Sequence, residues 1–342
     1  MSESAAKPDP WKVWVALGTV YGVWGSTYLA IRVMVETMPP LLSTGLRFFS
    51  AGALLFVFLL VRGGPQRVRL SGAEIGASTI VGGALVLGGT GLVAVGEQDV
   101  PSGLAALIVA SVPLWVAVWR RLTGERIPPQ TLIGVLAGFA GVALLVLPGE
   151  TETGAGAAGS LVIGVASFLW ATGSFFGRRL PAPGDALVAT AYQMLCGGAV
   201  AILAGVLFGE ASHIRWESFT APSLAAFLYL VVAGSIVGFG AYSWLLSHAP
   251  ISRVATHAYV NPLVAIVLGW LVLSERLSLP IVVGAAVIIA SVALTVRREG
   301  EHQAASPSEE TDVDDGDRRP SRERFPRPAR RIRELLTHDV NG

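Results

Sequence analysis

Arg47 is a guanidinium about seven residues into an apolar run that covers residues 40–61. At the helical rise per residue it lies roughly 10 Å from the end of that run. A charge at such depth in hydrocarbon costs on the order of 2–3 kcal/mol even on lenient insertion scales, so it must face protein or water. There it either attracts an anionic or carboxylate group, or holds the fold by binding helix-end carbonyls or an acidic loop residue. A second group of polar and aromatic side chains gathers around two prolines: Trp115 near Pro113, and His257, Tyr259 and Asn261 near Pro262. His257 and Asn261 are four apart and share a helical face. The bland reading of His257 is a hydrogen-bonded structural histidine. Trp24 and Tyr28 are also four apart, in a run interrupted by Ser26 and Thr27, and they suit the wall of a polar cavity. Gly25 and Ser26 equally suit close helix packing.

These residues can be held only by membrane-spanning helices. The chain has 342 residues, 52% hydrophobic and 14% charged, where soluble domains carry about a quarter charged residues. Ten apolar runs are long enough to cross the bilayer: about 13–35, 40–61, 73–95, 102–120, 128–147, 158–177, 184–208, 222–246, 252–273 and 279–297. Backbone groups in lipid must bond within their own segment, which makes these runs helices and the fold class all-α. Lys7, Lys12, Arg62, Arg67, Arg69, Arg120, Arg121, Arg126, Arg178, Arg179, Arg253 and the tail from Arg297 fall in one set of loops. The other set holds Arg215 and Arg276. That bias predicts a multi-pass protein of the cytoplasmic membrane with both termini cytoplasmic.

The chain repeats itself. "LTGERIPPQTLIGVLAGFAGVALLV" (122–146) aligns with "VLSERLSLPIVVGAAVIIASVALTV" (272–296), "VPSGLAAL" (100–107) with "APISRVAT" (249–256), and Trp24-Gly25-Ser26 with Trp170-Ala171-Thr172. Five helices per half is odd, so the halves are expected to lie oppositely in the membrane, as in many secondary transporters. The expected organisation is an N-terminus (1–12), a first repeat (13–147), an external linker (148–157), a second repeat (158–297) and a charged tail (298–342). The tail's composition predicts disorder. Matched irregularities in the two halves point to a site; Pro113 and Pro262 are therefore the expected helix breaks, freeing the carbonyls of Val109 and Ala258.

The chain resembles the EamA-like branch of the drug/metabolite transporter superfamily over about residues 13–297. The likeness rests on Trp24-Gly25-Ser26 with Ala30-Ile31-Arg32, "PPLLSTGLRFFSAGALL", Pro113-Leu114, Gly-Glu-Arg at 124–126 and Ser-Glu-Arg at 274–276. It departs from the family pattern at Asn261. The resemblance implies a ten-helix exporter of small metabolites with a central cavity between the halves. The expected substrate-binding residues are Trp24, Tyr28, Arg47, Trp115, Trp170, His257, Tyr259 and Asn261, and the expected substrates are zwitterions such as amino acids, or aromatic compounds. The rival class is a membrane-embedded sensor or enzyme.

Arg32 is expected to pair with Glu36 one turn on. Gly82-Gly83, Gly88-Gly89-Gly91 and Gly134, Gly138 and Gly141 are expected to mark close helix packing, and the 134–138 spacing also suits a homodimer face. No acidic residue falls mid-span, which leaves His257 as the titratable candidate for proton coupling. The single cysteine, Cys196, excludes an intrachain disulfide. No metal-ligand spacing, phosphate loop or catalytic triad pattern is present, so no cofactor, metal or catalysis is expected. The arginines form no folded basic face, so no nucleic-acid partner is expected. The expected partners are a small-molecule substrate and the lipid bilayer.

Overall fold

The computed structural model describes residues 10–305, apart from 126, 128, 147–155, 250 and 255. Lys7, Arg126, most of the proposed linker and the tail beyond 305 lie outside the described residues. The described residues are helical and contain no strand. They form α1 (Pro10–Val35), α2 (Pro40–Arg67), α3 (Gly72–Gly96), α4 (Ser102–Leu122), α5 (Pro129–Val146), α6 (Ala157–Gly177) and α7 (Ala186–Leu207). Next comes α8, assembled from Ala221–Tyr229, Leu230–Val237 and Gly238–His248. The last two are α9, from Ile251–Val254 and His257–Leu273, and α10 (Leu279–Ala305). Six of these (α2, α3, α4, α6, α7 and α8) contain a stretch long and apolar enough to cross a membrane. Shorter apolar stretches lie at Thr131–Ala143, His257–Leu273 and Ile281–Leu294. α1 does not reach the same hydropathy, because it carries Trp24, Ser26, Thr27 and Tyr28.

Large apolar side chains cover the outside. Val61 is 79% exposed, and Leu54, Phe58, Leu203, Leu207 and Leu271 are more than half exposed. In water such a surface would drive aggregation; in lipid it is the ordinary state of a helix bundle.

The packing is reciprocal between the halves. α1 packs on α8 and α9, while α6 packs on α3 and α4; α2 meets α7, and α4 meets α9. The α2–α7 seam is built on glycine. A Cβ on Gly198 would lie 2.5 Å from the Phe49 amide nitrogen, and one on Gly45 would lie 2.7 Å from that of Ile202. Gly82 is as close to the α7 backbone, Gly88 meets Leu169, and Gly138 meets Leu114 and Ser291. Gly82, Gly88 and Gly138 serve close packing, as expected, and Gly45 and Gly198 do the same.

Contacts between loops sort the helix ends into two groups. At the end where α1 begins, Arg67 bridges Asp185 at 2.7 Å and Arg253 lies over the Trp14 ring. At the far end, Glu210 accepts from the amides of Leu41 and Leu42 (3.1 and 2.8 Å), capping the start of α2. Glu275 accepts in the same way from Ser102 and Gly103 (2.8 and 3.1 Å), capping α4. A carboxylate on the exposed amides of a helix N-terminus is favourable in both hydrogen bonding and dipole. The Ser-Glu-Arg motif thus has a clear local role. Ser274 takes a left-handed turn (φ 55°), as does Gly124 (φ 91°) in the matching Gly-Glu-Arg. That turn ends α9 and sets Glu275 against the start of α4.

Arg32 corrects one expectation. Its guanidinium donates to the carbonyls of Glu97 and Gln98 just past the end of α3, the latter at 2.6 Å. Glu36 is exposed. An exposed ion pair contributes little, whereas helix-end carbonyls inside a bundle need a donor.

Candidate functional site

A cavity of about 430 Å³ lies between the halves, walled by α1, α2, α3, α4, α6, α8 and α9. Its size falls within the roughly 300–1,000 Å³ of small-molecule sites. Trp24 and Tyr28 line it, with Thr27 and Ile31, which fixes the polar face of α1. Ser26 turns away, with its hydroxyl 2.6 Å from the Tyr229 hydroxyl of α8. Trp170 of α6 lines the opposite wall.

Two stretches of π-helix shape the walls, Gly83–Gly91 in α3 and Leu230–Val237 in α8. Such wide turns recur at functional sites because they displace carbonyls and side chains from the regular ladder. Here they receive the tryptophans. A Cβ on Gly89 would lie 2.4 Å from Trp170 Cε3, and one on Gly238 would lie 2.3 Å from Trp24 Nε1. Trp24 Nε1 donates to the Gly234 carbonyl at 3.2 Å, and its ring packs against Phe239, Tyr242 and His257.

Arg47 is 4% exposed and reaches the same part of α8. Its Nε donates to Ser235 Oγ at 3.1 Å, and the guanidinium sits over the Phe48 ring. Ser235 Oγ in turn donates to the Leu230 carbonyl. Arg47 Nη1 has no hydrogen-bond partner, and none of the lining residues is acidic. Among the described residues, neither helix-end carbonyls nor a loop carboxylate holds this guanidinium. Asn261 Oδ1 on α9 is also buried without a partner, and Asn261 lines the cavity with His257. His257 Nδ1 lies 2.9 Å from the Val254 carbonyl, the satisfied arrangement that its bland reading describes.

Of the eight expected residues, six line the cavity: Trp24, Tyr28, Arg47, Trp170, His257 and Asn261. The other two do not. Trp115 packs against Phe139 and Phe168 at 4.5 and 5.1 Å, and Tyr259 packs against the apolar core around α4. Tyr259 stands two residues from both His257 and Asn261, about 200° around the helix. Trp115, by contrast, stands beside the lining residue Val116 and is held out of the cavity wall by its ring contacts with Phe139 and Phe168. Pro113 follows an interruption of α4 at Ala110–Ser111, where Ser111 Oγ and Ser167 Oγ both donate to the Ile108 carbonyl. Pro262 is different: it lies inside the continuous His257–Leu273 segment, and the interruption of α9 comes earlier, at Thr256. One missing amide does not stop a helix whose neighbouring bonds remain. The clearest matched irregularities are the two π-helical stretches. No cluster that could hold a metal ion occurs among the described residues.

A multi-pass helical bundle with reciprocal halves and a largely apolar cavity between them, carrying a few polar groups, defines a membrane transporter of the two-repeat kind. Both halves match the model of the EamA-like transporter family, at residues 10–147 and 157–297, and the chain belongs to that family. It is 38% identical over 270 residues to the uncharacterized inner membrane transporter YedA of Escherichia coli K12, covering 77% of this chain and 83% of that protein. It is 28% identical over 291 residues to the uncharacterized transporter YvbV of Bacillus subtilis, covering 83% and 91%. It is also 26% identical over 294 residues to the chloroplastic WAT1-related protein At3g02690 of Arabidopsis thaliana, covering 84% and 70%. A crystal structure at 20% identity shares the fold with a TM-score of 0.57, covering 83% of this chain and 96% of its own.

Proposed function

We propose that this protein exports small amphipathic zwitterions or carboxylates, aromatic amino acids foremost, across a cytoplasmic membrane by alternating access. The observation that carries this reading is Arg47, a lining cation whose buried Nη1 has no hydrogen-bond partner, beside a cavity with no lining carboxylate. A buried cation without a counter-charge is costly, and a substrate carboxylate would supply the missing partner. Asn261 Oδ1 offers an acceptor for an ammonium or hydroxyl group, and Trp24 and Trp170 offer flat apolar walls. Transport, rather than catalysis or sensing, is supported by family membership and by the YedA name, which also supports the inner membrane.

In this reading all ten helical segments cross the membrane, with the two repeats at 13–147 and 158–297 inverted about the linker. The end rich in arginine, where α1 begins, is cytoplasmic. Reporters fused at residues 36, 64, 150 and 300 should read outside, inside, outside and inside. A cytoplasmic signal at 150 would overturn the inversion.

The functional test is counterflow in reconstituted vesicles with phenylalanine, tryptophan, aliphatic amino acids and aromatic drugs lacking a carboxylate. Saturable exchange should be greatest for the aromatic amino acids. Specific binding of those compounds without flux of any would favour a sensor.

A further inference from the structure

At the far end of the bundle one carboxyl group stands apart. Glu97 follows the last turn of α3, is fully buried, and has no hydrogen-bond partner for either oxygen. Most buried carboxylates that remain charged are paired or well hydrogen-bonded, because a bare buried charge is very costly. The charged and titratable groups that face it come from two places. From α1, Tyr28 and Arg32 are within electrostatic reach. The Arg32 Nη1 donates to the peptide carbonyls of Glu97 and Gln98. From the α9–α10 turn comes Glu275, committed to the start of α4. Along the end of α3 just before it, α2, α6 and α8 bring Leu41 beside Gly91, Ile163 beside Gly96 and Leu230 into the cluster with Ala94, all apolar. Burial holds the Glu97 carboxyl well above the usual carboxylate range; Glu275 adds to that, and Arg32 opposes it.

We propose that Glu97 is a proton-binding site and that protonating it permits the far end of the bundle to close. The arrangement has two linked parts. With α4 drawn against Glu275 and α3 against Arg32, the Glu97 side chain is sealed from water and suits a neutral acid. When the far end opens, water reaches the carboxyl group, which ionises as an ordinary glutamate. Tyr28 lies both in the cavity wall and within reach of Glu97, which connects the proton site to the substrate space. No bond other than the carboxyl O–H forms or breaks. This deepens the transport reading by naming a proton as the co-ligand, and it moves that role from His257 to Glu97.

The sign is fixed by linkage. A carboxyl group whose value is raised in the closed state stabilises that state while protonated, and that contribution is lost as pH rises from the ordinary glutamate value toward the raised one. Opening at the far end should therefore increase with pH, by about tenfold per pH unit for one proton.

The test needs no substrate. In a Cys196→Ser background, Val93→Cys places a thiol on a lining position that is 6% exposed. A membrane-impermeant maleimide applied from the far side reports opening; its rates are corrected for thiolate ionisation with an exposed control cysteine. With Glu97 present, labelling should accelerate as pH rises from about 5 to about 9. Glu97→Gln should label slowly at every pH, and Glu97→Asp should restore the pH dependence with a shifted midpoint. A flat profile with Glu97 present, or an unchanged slope in Glu97→Gln, overturns the proposal. Failure of the transport reading is a separate result: no counterflow for any compound, with the labelling profile intact.

Discussion

Arg47→Gln should reduce counterflow of phenylalanine by about 10- to 100-fold while leaving the protein folded. The magnitude follows from the interaction at stake. A hydrogen bond to a charged group contributes about 1.5–3 kcal/mol, more than a neutral one, and each 1.4 kcal/mol is about tenfold in affinity. Glutamine keeps a donor near Ser235 but cannot supply the charge or the second arm of the fork. An aromatic drug without a carboxylate should change less than about threefold, because it never used the free Nη1. Arg47→Lys separates charge from shape. It restores the cation but not the planar fork that reaches Ser235 and the cavity at once, so recovery should be partial. Should both substrates lose flux equally, with a fall in melting temperature, Arg47 holds the α2–α8 contact and nothing more.

The sequence was most readable where physics leaves little choice. Hydropathy alone required helices, and the arginine bias grouped the loops as the Arg67–Asp185 and Arg253–Trp14 contacts group them. The i,i+4 pairs Trp24–Tyr28 and His257–Asn261 do share the cavity face. The same 100° periodicity, applied to Tyr259 against His257 and Asn261, would have turned it away. Trp115, by contrast, stands beside the lining Val116, and only its contacts with Phe139 and Phe168 take it out of the wall. Pattern does not show what depends on tertiary contact. Glu97 stands at a span end, where an acidic residue is ordinary, and only the packing of α1 and of the α9–α10 turn against it makes the position fully buried. Glu210 and Glu275 read as loop charges until the starts of α2 and α4 arrive beside them. One π-helical stretch left a faint trace: Gly88-Gly89-Gly91 was legible as close-packing glycines, but not that Trp170 packs against Gly89. The Arg32–Glu36 expectation failed because helix-end carbonyls from a segment 65 residues away competed for the guanidinium.

Those tryptophan–glycine contacts carry the other large effect. Gly238→Ala should lower stability by about 1–3 kcal/mol, the usual cost of overpacking, and cut transport at least about tenfold. A methyl group there would stand 2.3 Å from Trp24 Nε1 and 2.8 Å from Cδ1, so the indole must swing. In swinging it gives up its bond to the Gly234 carbonyl and its edge contacts with Phe239 and His257. Gly89→Ala should act likewise through Trp170 Cε3, from the other wall. Gly240→Ala, on the same helix with nothing within 4 Å, should change neither property. The decisive comparison is a double-mutant cycle with Trp24→Phe. Phenylalanine lacks the pyrrole edge that meets the new methyl group, so adding it to Gly238→Ala should recover most of the lost stability. It also lacks the Nε1 donor, so transport should recover less. A coupling energy above about 1 kcal/mol between the two positions is expected for residues in direct contact. Strict additivity in both melting temperature and flux would mean that Gly238 does not position Trp24, and the π-helical stretch would then be incidental to the site.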